Sequence, residues 1–326
     1  MSFVAEVPDA QTSSFIPVSV KTLRPDQALG IALYLRESGA GSHFLYRDKD
    51  VPLNESDLAS LQARGLTTLY AESDEFEIYQ RYLRGNLDSV LADESVSVAN
   101  RFSHLNEVVR DVLAESFRRG ETAGAVTTCH AIAHKTVDFI CRKDALASEL
   151  LGVLYHDYHT FTHSANVSYY CTFLAKALGI SSRADLRSIA VGGMLHDLGK
   201  LEIADHILTK QGKLSPAEFA IVRAHPRTGF LKLSRRHDLS HGQLMMVYQH
   251  HERIDGKGYP VGQLGAGIHE WAKICAVVDV FEALTSNRPY RRALHRAEAF
   301  AIMGRDAGLA LDKDLFACWM QAISTT

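Results

Sequence analysis

No segment of this chain of 326 residues approaches 18 uninterrupted apolar residues, which excludes a helical membrane span. Neither sign of charge dominates. The 35 lysines and arginines against 38 aspartates and glutamates leave a formal net charge of −3, so there is no overall basic footprint for nucleic acid or an anionic membrane. A basic pocket for a small anion remains compatible with that balance. The N-terminal MSFVAEVPDAQTSS lacks a basic stretch followed by an apolar core, so no secretory signal is visible and cytoplasm is the expected compartment. Cysteines are few (Cys129, Cys141, Cys171, Cys275 and Cys318) and form no CxxC pair. They are expected to be reduced, mostly buried small side chains rather than a disulfide framework. HExxH and GxxxxGK[ST] are absent, and the glycines of 256–267 do not spell GxGxxG. With 46% hydrophobic and 22% charged residues, disorder is excluded, and the length suffices for two domains.

What is abundant is histidine. Of 16, 12 fall between His156 and His295. Before that region the chain reads as a loose tail of about 15 residues, then a small α/β module ending at 86. In it PVSVKTL and HFLYRDKDVPL are strand-like, with Asp48-Lys49-Asp50 suited to a turn. Asn54 caps a helix through Leu61 that Gly65 ends, TTLYAE is a short strand, and FEIYQRYL is helical. The module holds no polar constellation for chemistry, and a regulatory or interaction role stands beside a purely structural one. From 87 to 326 the pattern is helical. Phe102, Leu105, Val109 and Val112 mark an amphipathic helix over 93–118, with further helices expected over 123–141, 145–155 and 160–178. The fold class is therefore mainly α, an all-helical domain preceded by a small α/β domain.

The chemistry centres on SIAVGGMLHDLGKL, residues 188–201. The apolar and small run before His196 predicts a buried helix, closely packed at Gly192-Gly193. His196-Asp197 at the end of such a helix is costly unless both polar groups find partners, and a divalent cation satisfies the two together. Upstream, His156, His159 and His163 are spaced i, i+3, i+7. Downstream, Ser215, Pro216 and Glu218 open a helix expected to run to His225, with Pro226 after it. His250-His251 end the next helix before a glycine-rich loop, and Asp279 lies in the otherwise apolar KICAVVDVFEAL. Taken singly each residue has a structural explanation. In order they supply five imidazoles (His163, His196, His225, His250, His251) and two carboxylates (Asp197, Asp279) from five helices. Seven ligands suit two adjacent metal ions with Asp197 between them.

These residues resemble the HD-GYP phosphodiesterases, a subgroup of the HD metal-dependent phosphohydrolases, over roughly residues 150–295. HDLGK, HHERIDGKGYP and the NRPYR after Asp279 match in order and spacing. The N-terminal module is similar to the small domain that often precedes this domain in bacterial proteins. The resemblance implies an all-helical HD-type phosphohydrolase domain that hydrolyses the second messenger cyclic di-GMP to pGpG, and in some members to GMP. It puts His163, His196, Asp197 and Asp279 on one metal, and Asp197, His225, His250 and His251 on the second. It gives Lys200, Arg288 and Arg291 the scissile phosphodiester. Tyr259 of Gly258-Tyr259-Pro260 joins the substrate-binding wall, in a loop that also offers a docking point for a partner domain.

Some family members carry a glutamate where this chain has His159 and bind a third metal with it; here two ions are expected, with His156 in a supporting position. A ligand set of imidazole and carboxylate without thiolate is compatible with iron or manganese, with nickel, cobalt and zinc left open. A water shared by two metals, with its pKa lowered, would then supply the hydroxide that attacks phosphorus, placing Asp197 and Lys200 at the catalytic centre. Two other readings keep this site: hydrolysis of another cyclic dinucleotide, and a catalytically weak sensor of cyclic di-GMP acting through partner signalling proteins. A homodimer through the amphipathic helix is left open.

Overall fold

The computed structural model describes residues 15–36, 42–118, 122–142, 154, 160–288 and 291–324. The expected N-terminal tail, the helix expected over 145–155 (Leu154 apart), His156, His159 and Pro289-Tyr290 lie outside the described residues. The chain forms two compact units, Met1–His104 and Leu105–Thr326.

Among its described residues the first unit holds a four-stranded antiparallel sheet, two whole helices and the start of a third. Its strands β1 (Phe15–Ser19), β2 (Leu33–Arg36), β3 (His43–Arg47) and β4 (Thr68–Glu72) lie in the order β1-β4-β2-β3. Helix α1 (Glu55–Ala63) begins at Asn54 with a full capping box, and Gly65 follows it at φ 71°, as expected. The turn at Asp48–Asp50 is also present, closed by Val51 N–H on the Asp48 carbonyl. Alternation places Leu69 and Ala71 of β4 in the core, and α2 (Phe76–Ala92) buries Tyr79, Leu83 and Leu87. The strand expected over PVSVKTL stops at Ser19. Thr22 Oγ1–H donates to the Ser19 carbonyl at 2.7 Å and turns the chain into a short 3₁₀ segment. The strand β2 was not legible in the sequence. Helix α2 continues past the boundary expected at 86/87, and the two units divide within α3 (Val98–Arg118).

Among the described residues every element of the second unit after α3 is helical: α4 (Thr122–Ile140), α5 (Thr160–Ala177), α6 (Arg183–Leu195), α7 (Asp205–Leu208), α8 (Pro216–Arg223), α9 (His225–Leu233), α10 (His241–Gln249), α11 (Glu270–Thr285), α12 (Arg296–Asp306) and α13 (Lys313–Ser324). No helix among the described residues is long and apolar enough to cross a membrane. Tyr170, Phe281 and Trp319 meet with ring centroids 5.3–5.7 Å apart, tying α5, α11 and α13 together. Each such ring contributes on the order of 2 kcal/mol by burial. The glycine pair of α6 packs as expected: a Cβ on Gly193 would stand 2.7 Å from Ser168 Cα, so α5 and α6 touch backbone to backbone. That contact sets His163 of α5 beside His196 at the end of α6.

Candidate metal centre

Three of the imidazoles stand where a helix leaves carbonyls without an N–H partner. His196 follows the last residue of α6, and its Nδ1–H donates to the Gly193 carbonyl at 2.7 Å. His250 follows α10 and donates in the same way to Met246 and Val247, both at 3.0 Å. The helix expected to reach His225 ends at Arg223, and His225 begins α9 instead. The reason is Pro226, which has no N–H for the Val222 carbonyl; His225 Nδ1–H reaches that carbonyl at 2.7 Å. His163 is held by a side chain, with Nδ1–H donating to Glu282 Oε2 at 2.5 Å. With the proton on Nδ1, the Nε2 atoms of His196, His225 and His250 present lone pairs to the interior, the tautomer a metal ligand requires, and His163 reaches the same state by giving up the Nε2 proton that Asp197 and Asp279 hold.

Those lone pairs converge. His163 and His196 face each other Nε2 to Nε2 at 3.2 Å, and His225 and His250 at 3.1 Å. Asp197 lies between the pairs. Its Oδ2 is 3.3 Å from His163 Nε2 and 3.4 Å from His196 Nε2, while its Oδ1 is 3.1 Å from His225 Nε2 and 3.7 Å from His250 Nε2. Asp279 Oδ1 adds a contact to His163 Nε2 at 3.1 Å. The seven expected ligands thus fall into two groups, Asp197-His225-His250-His251 and His163-His196-Asp279. Within each, the ligand atoms lie within 4.8 Å of one another. Buried Asp197 Oδ1 has no hydrogen-bond donor, since the imidazoles facing it carry their protons on the far nitrogen. A carboxylate oxygen surrounded by lone pairs in a dry interior costs several kcal/mol, and a divalent cation removes that cost. The residues therefore fit a divalent metal.

The electrostatics agree. Burial pushes His251 down to about 3 and, with the neighbouring His251, His196 and His225, lowers His250 well below the histidine range; both are neutral. Burial alone would also lower His163, but the Glu282, Asp197 and Asp279 carboxylates hold it well above its ordinary value. Asp197 is the converse case. Burial would raise it, yet Lys200, His196 and His163 keep it well below the usual carboxylate range. The carboxylates of the site are ionised and waiting for positive charge.

Around this centre Lys200 donates to Asp197 Oδ2 at 2.6 Å. It also lines, with Arg288, a cavity of about 690 Å³. Gly199 of HDLGK allows this turn to form: a Cβ there would stand 2.0 Å from the His225 carbonyl oxygen. Tyr259 stacks on His251, with centroids 4.7 Å apart and planes at 29°. It lines a second cavity of about 370 Å³ that His250 and His251 share. Arg291 is placed differently from Lys200 and Arg288. Its guanidinium donates to the carbonyls of Ala283, Leu284 and Arg292, capping the end of α11, and it lines neither cavity. Backbone bonds in both directions tie Arg291 to Arg288.

Two carboxylates that the motifs did not single out complete the arrangement. Glu282, one turn after Asp279, orients His163 and also accepts from Asn166, Ser286 and Arg288. The signal for it was present, as a second acid at i+3 in an apolar helix. Buried Glu252 accepts from the backbone N–H groups of Val261, Gly262 and Gln263 at 2.8–3.2 Å, closing the loop that carries Tyr259.

The HD domain family model matches residues 152–315. The Pseudomonas aeruginosa protein named cyclic di-GMP phosphodiesterase PA4108 is 34% identical over 210 residues, 64% of this chain and 50% of that protein. The Xanthomonas campestris cyclic di-GMP phosphodiesterase response regulator RpfG is 36% identical, over 52% of this chain and 45% of its own. The Vibrio cholerae 3'3'-cGAMP-specific phosphodiesterase 1 is 37% identical, over 48% and 36%. The chain thus spans half or less of the length of these relatives. Among solved structures, Bd1817, a HDG"Y"P protein from Bdellovibrio bacteriovorus, superposes with a TM-score of 0.69 at 22% identity, over 95% of this chain and 100% of that one, and shares the fold. With the match covering half of its length, and with a buried cluster of histidine and aspartate that fits a divalent metal, the chain belongs to the HD domain family.

Proposed function

We propose that this protein is a phosphodiesterase of the HD-GYP branch that hydrolyses cyclic di-GMP, opening the ring to pGpG and in a second cleavage giving GMP. The observation that carries the reading is Asp197, one oxygen toward each of two histidine groups, an arrangement suited to two divalent ions. His163, His196, Asp197 and Asp279 would hold one ion, and Asp197, His225, His250 and His251 the other. Iron or manganese suits these ligands, with nickel, cobalt and zinc to be compared. When bound, the ions supply a lowered water pKa and positive charge beside the phosphoryl oxygens. The chain's own residues do the rest. Lys200 and Arg288, which share a cavity wall, hold the phosphodiester, and Tyr259 bounds the pocket beside His251. Arg291 serves this binding by fixing the backbone that presents Arg288. In the reaction the oxygen of water bonds to phosphorus, the P–O3′ bond breaks, and the 3′ oxygen leaves as the hydroxyl.

The module up to 86 is proposed as a regulatory or interaction domain, and cytoplasm as the compartment. A second reading has a specific basis: the Vibrio cholerae relative named for 3'3'-cGAMP is as similar as those named for cyclic di-GMP, so another cyclic dinucleotide is the alternative substrate. The deciding experiment loads purified protein with iron or manganese, counts metal per chain, and follows cyclic di-GMP and 3'3'-cGAMP by chromatography. Production of pGpG at the higher kcat/KM supports the proposal. Preference for 3'3'-cGAMP, or binding without turnover, overturns it.

A further inference from the structure

One helix face beside the centre carries large side chains that nothing covers among the described residues. Helix α8 turns Phe219 and Arg223, four residues apart, to solvent; the Phe219 ring is 49% exposed. Arg223 is engaged with rings rather than with a carboxylate. Its guanidinium carbon lies 4.8 Å from the Tyr259 centroid and 5.8 Å from that of Phe219. Tyr259 in turn stacks on His251, so flat groups succeed one another from the metal centre to the surface. Among the described residues Phe219 is the one that lines both cavities: the 370 Å³ cavity with Arg223, His251 and Tyr259, and the 690 Å³ cavity with Lys200 and Arg288.

Resting on the functional reading above, we propose that Phe219 is a stacking pillar between the two nucleobases of the cyclic dinucleotide, with Arg223 extending the same wall on the Tyr259 side. A cyclic dinucleotide carries a planar base on each side of its sugar-phosphate ring. The volumes of both cavities are of the size that small ligands fill. An aromatic ring left half in water forgoes part of its burial, and a base laid on its exposed side recovers it. Guanidinium planes stack on bases in the same way. Stacking is tolerant of base identity, so this wall discriminates diesters that have bases from those that have none.

The test compares kcat/KM for cyclic di-GMP with kcat/KM for its abasic analogue, the cyclic ribose phosphodiester that carries no planar ring, in metal-loaded protein with metal counted in each sample. Phe219→Ala is expected to lower the ratio of the two by at least fivefold, chiefly through KM for the dinucleotide. Arg223→Ala is expected to lower it less, and Phe219→Trp to restore it. If wild type hydrolyses cyclic di-GMP but the alanine variants leave the ratio where it was, the pillar is wrong and the functional reading stands. If wild type hydrolyses the abasic analogue and no cyclic dinucleotide, the functional reading fails and takes the pillar with it.

Discussion

The two units bury polar groups for opposite ends. In Met1–His104, buried hydroxyls close on one another: Tyr79 and Thr22 share a hydrogen bond at 2.8 Å, and Tyr82 accepts from Arg24 N–H at 2.9 Å. Its ion pairs among the described residues include Arg24–Asp93 and Arg47–Asp57, both part-exposed, and buried nitrogens left over there, such as Arg24 Nη1, Arg47 Nε and Gln80 Nε2, belong to no group that could hold a metal. In Leu105–Thr326, by contrast, each buried imidazole spends Nδ1 on the fold and leaves Nε2 facing another lone pair or a carboxylate. A region whose donors and acceptors are half used and aimed at one point is a binding site, and its stability is tied to what binds there.

The sharpest way to break this contrast is Asp197→Ala, which removes the oxygen each histidine group faces. Turnover should fall by more than about a thousandfold and bound metal should drop, while circular dichroism stays helical. Full metal content with normal turnover would dissolve the distinction between the units. Glu282→Gln acts one step out, through the orientation of His163. Metal affinity should weaken about 10- to 100-fold by titration, with a smaller loss of turnover in saturating metal. Glu252→Ala strips the N–H groups of Val261, Gly262 and Gln263 of their buried acceptor. Urea unfolding should show a loss of about 3 kcal/mol, with KM rising as the Tyr259 loop loosens.

Acid should also separate the units. His250 and His251 are held neutral, so below about pH 6.5 the unfolded chain gains protons that the fold refuses until about pH 3 for His251. Their stabilising contribution is therefore present above pH 6.5 and lost as pH falls through that window. His163, raised above the histidine range, is protonated in both states in that window and adds no slope there; its contribution is lost only as pH rises. Metal-stripped protein should lose stability by roughly 2–3 kcal/mol per pH unit between about pH 6 and 4, read as the urea midpoint. The smallest effect belongs to the first unit: Asn54→Ala removes the cap of α1 and should cost about 1 kcal/mol with kcat unaltered. A change in kcat there would mean the units are coupled.

Sequence by itself determined which residues could be ligands and on which helices, because metal-ligating side chains are few in kind and costly to bury in an apolar helix. His196-Asp197 after an apolar run, His225 before Pro226, and Asp279 amid valines were each legible for that reason. So were the Asn54 and Ser215 caps and the close approach at Gly193, which depend on local geometry. Only the tertiary structure decided what depends on residues far apart in the chain. The strand β2 was hidden because its four residues become a strand through β3 and β4. The pairing of His163 with Glu282 across 119 positions follows from packing of α5 on α11, and the diversion of Arg291 to helix carbonyls from the way the chain turns back on the end of α11. A side chain's chemistry is local, but the direction in which its second nitrogen or free oxygen points is set by whichever distant group takes the first.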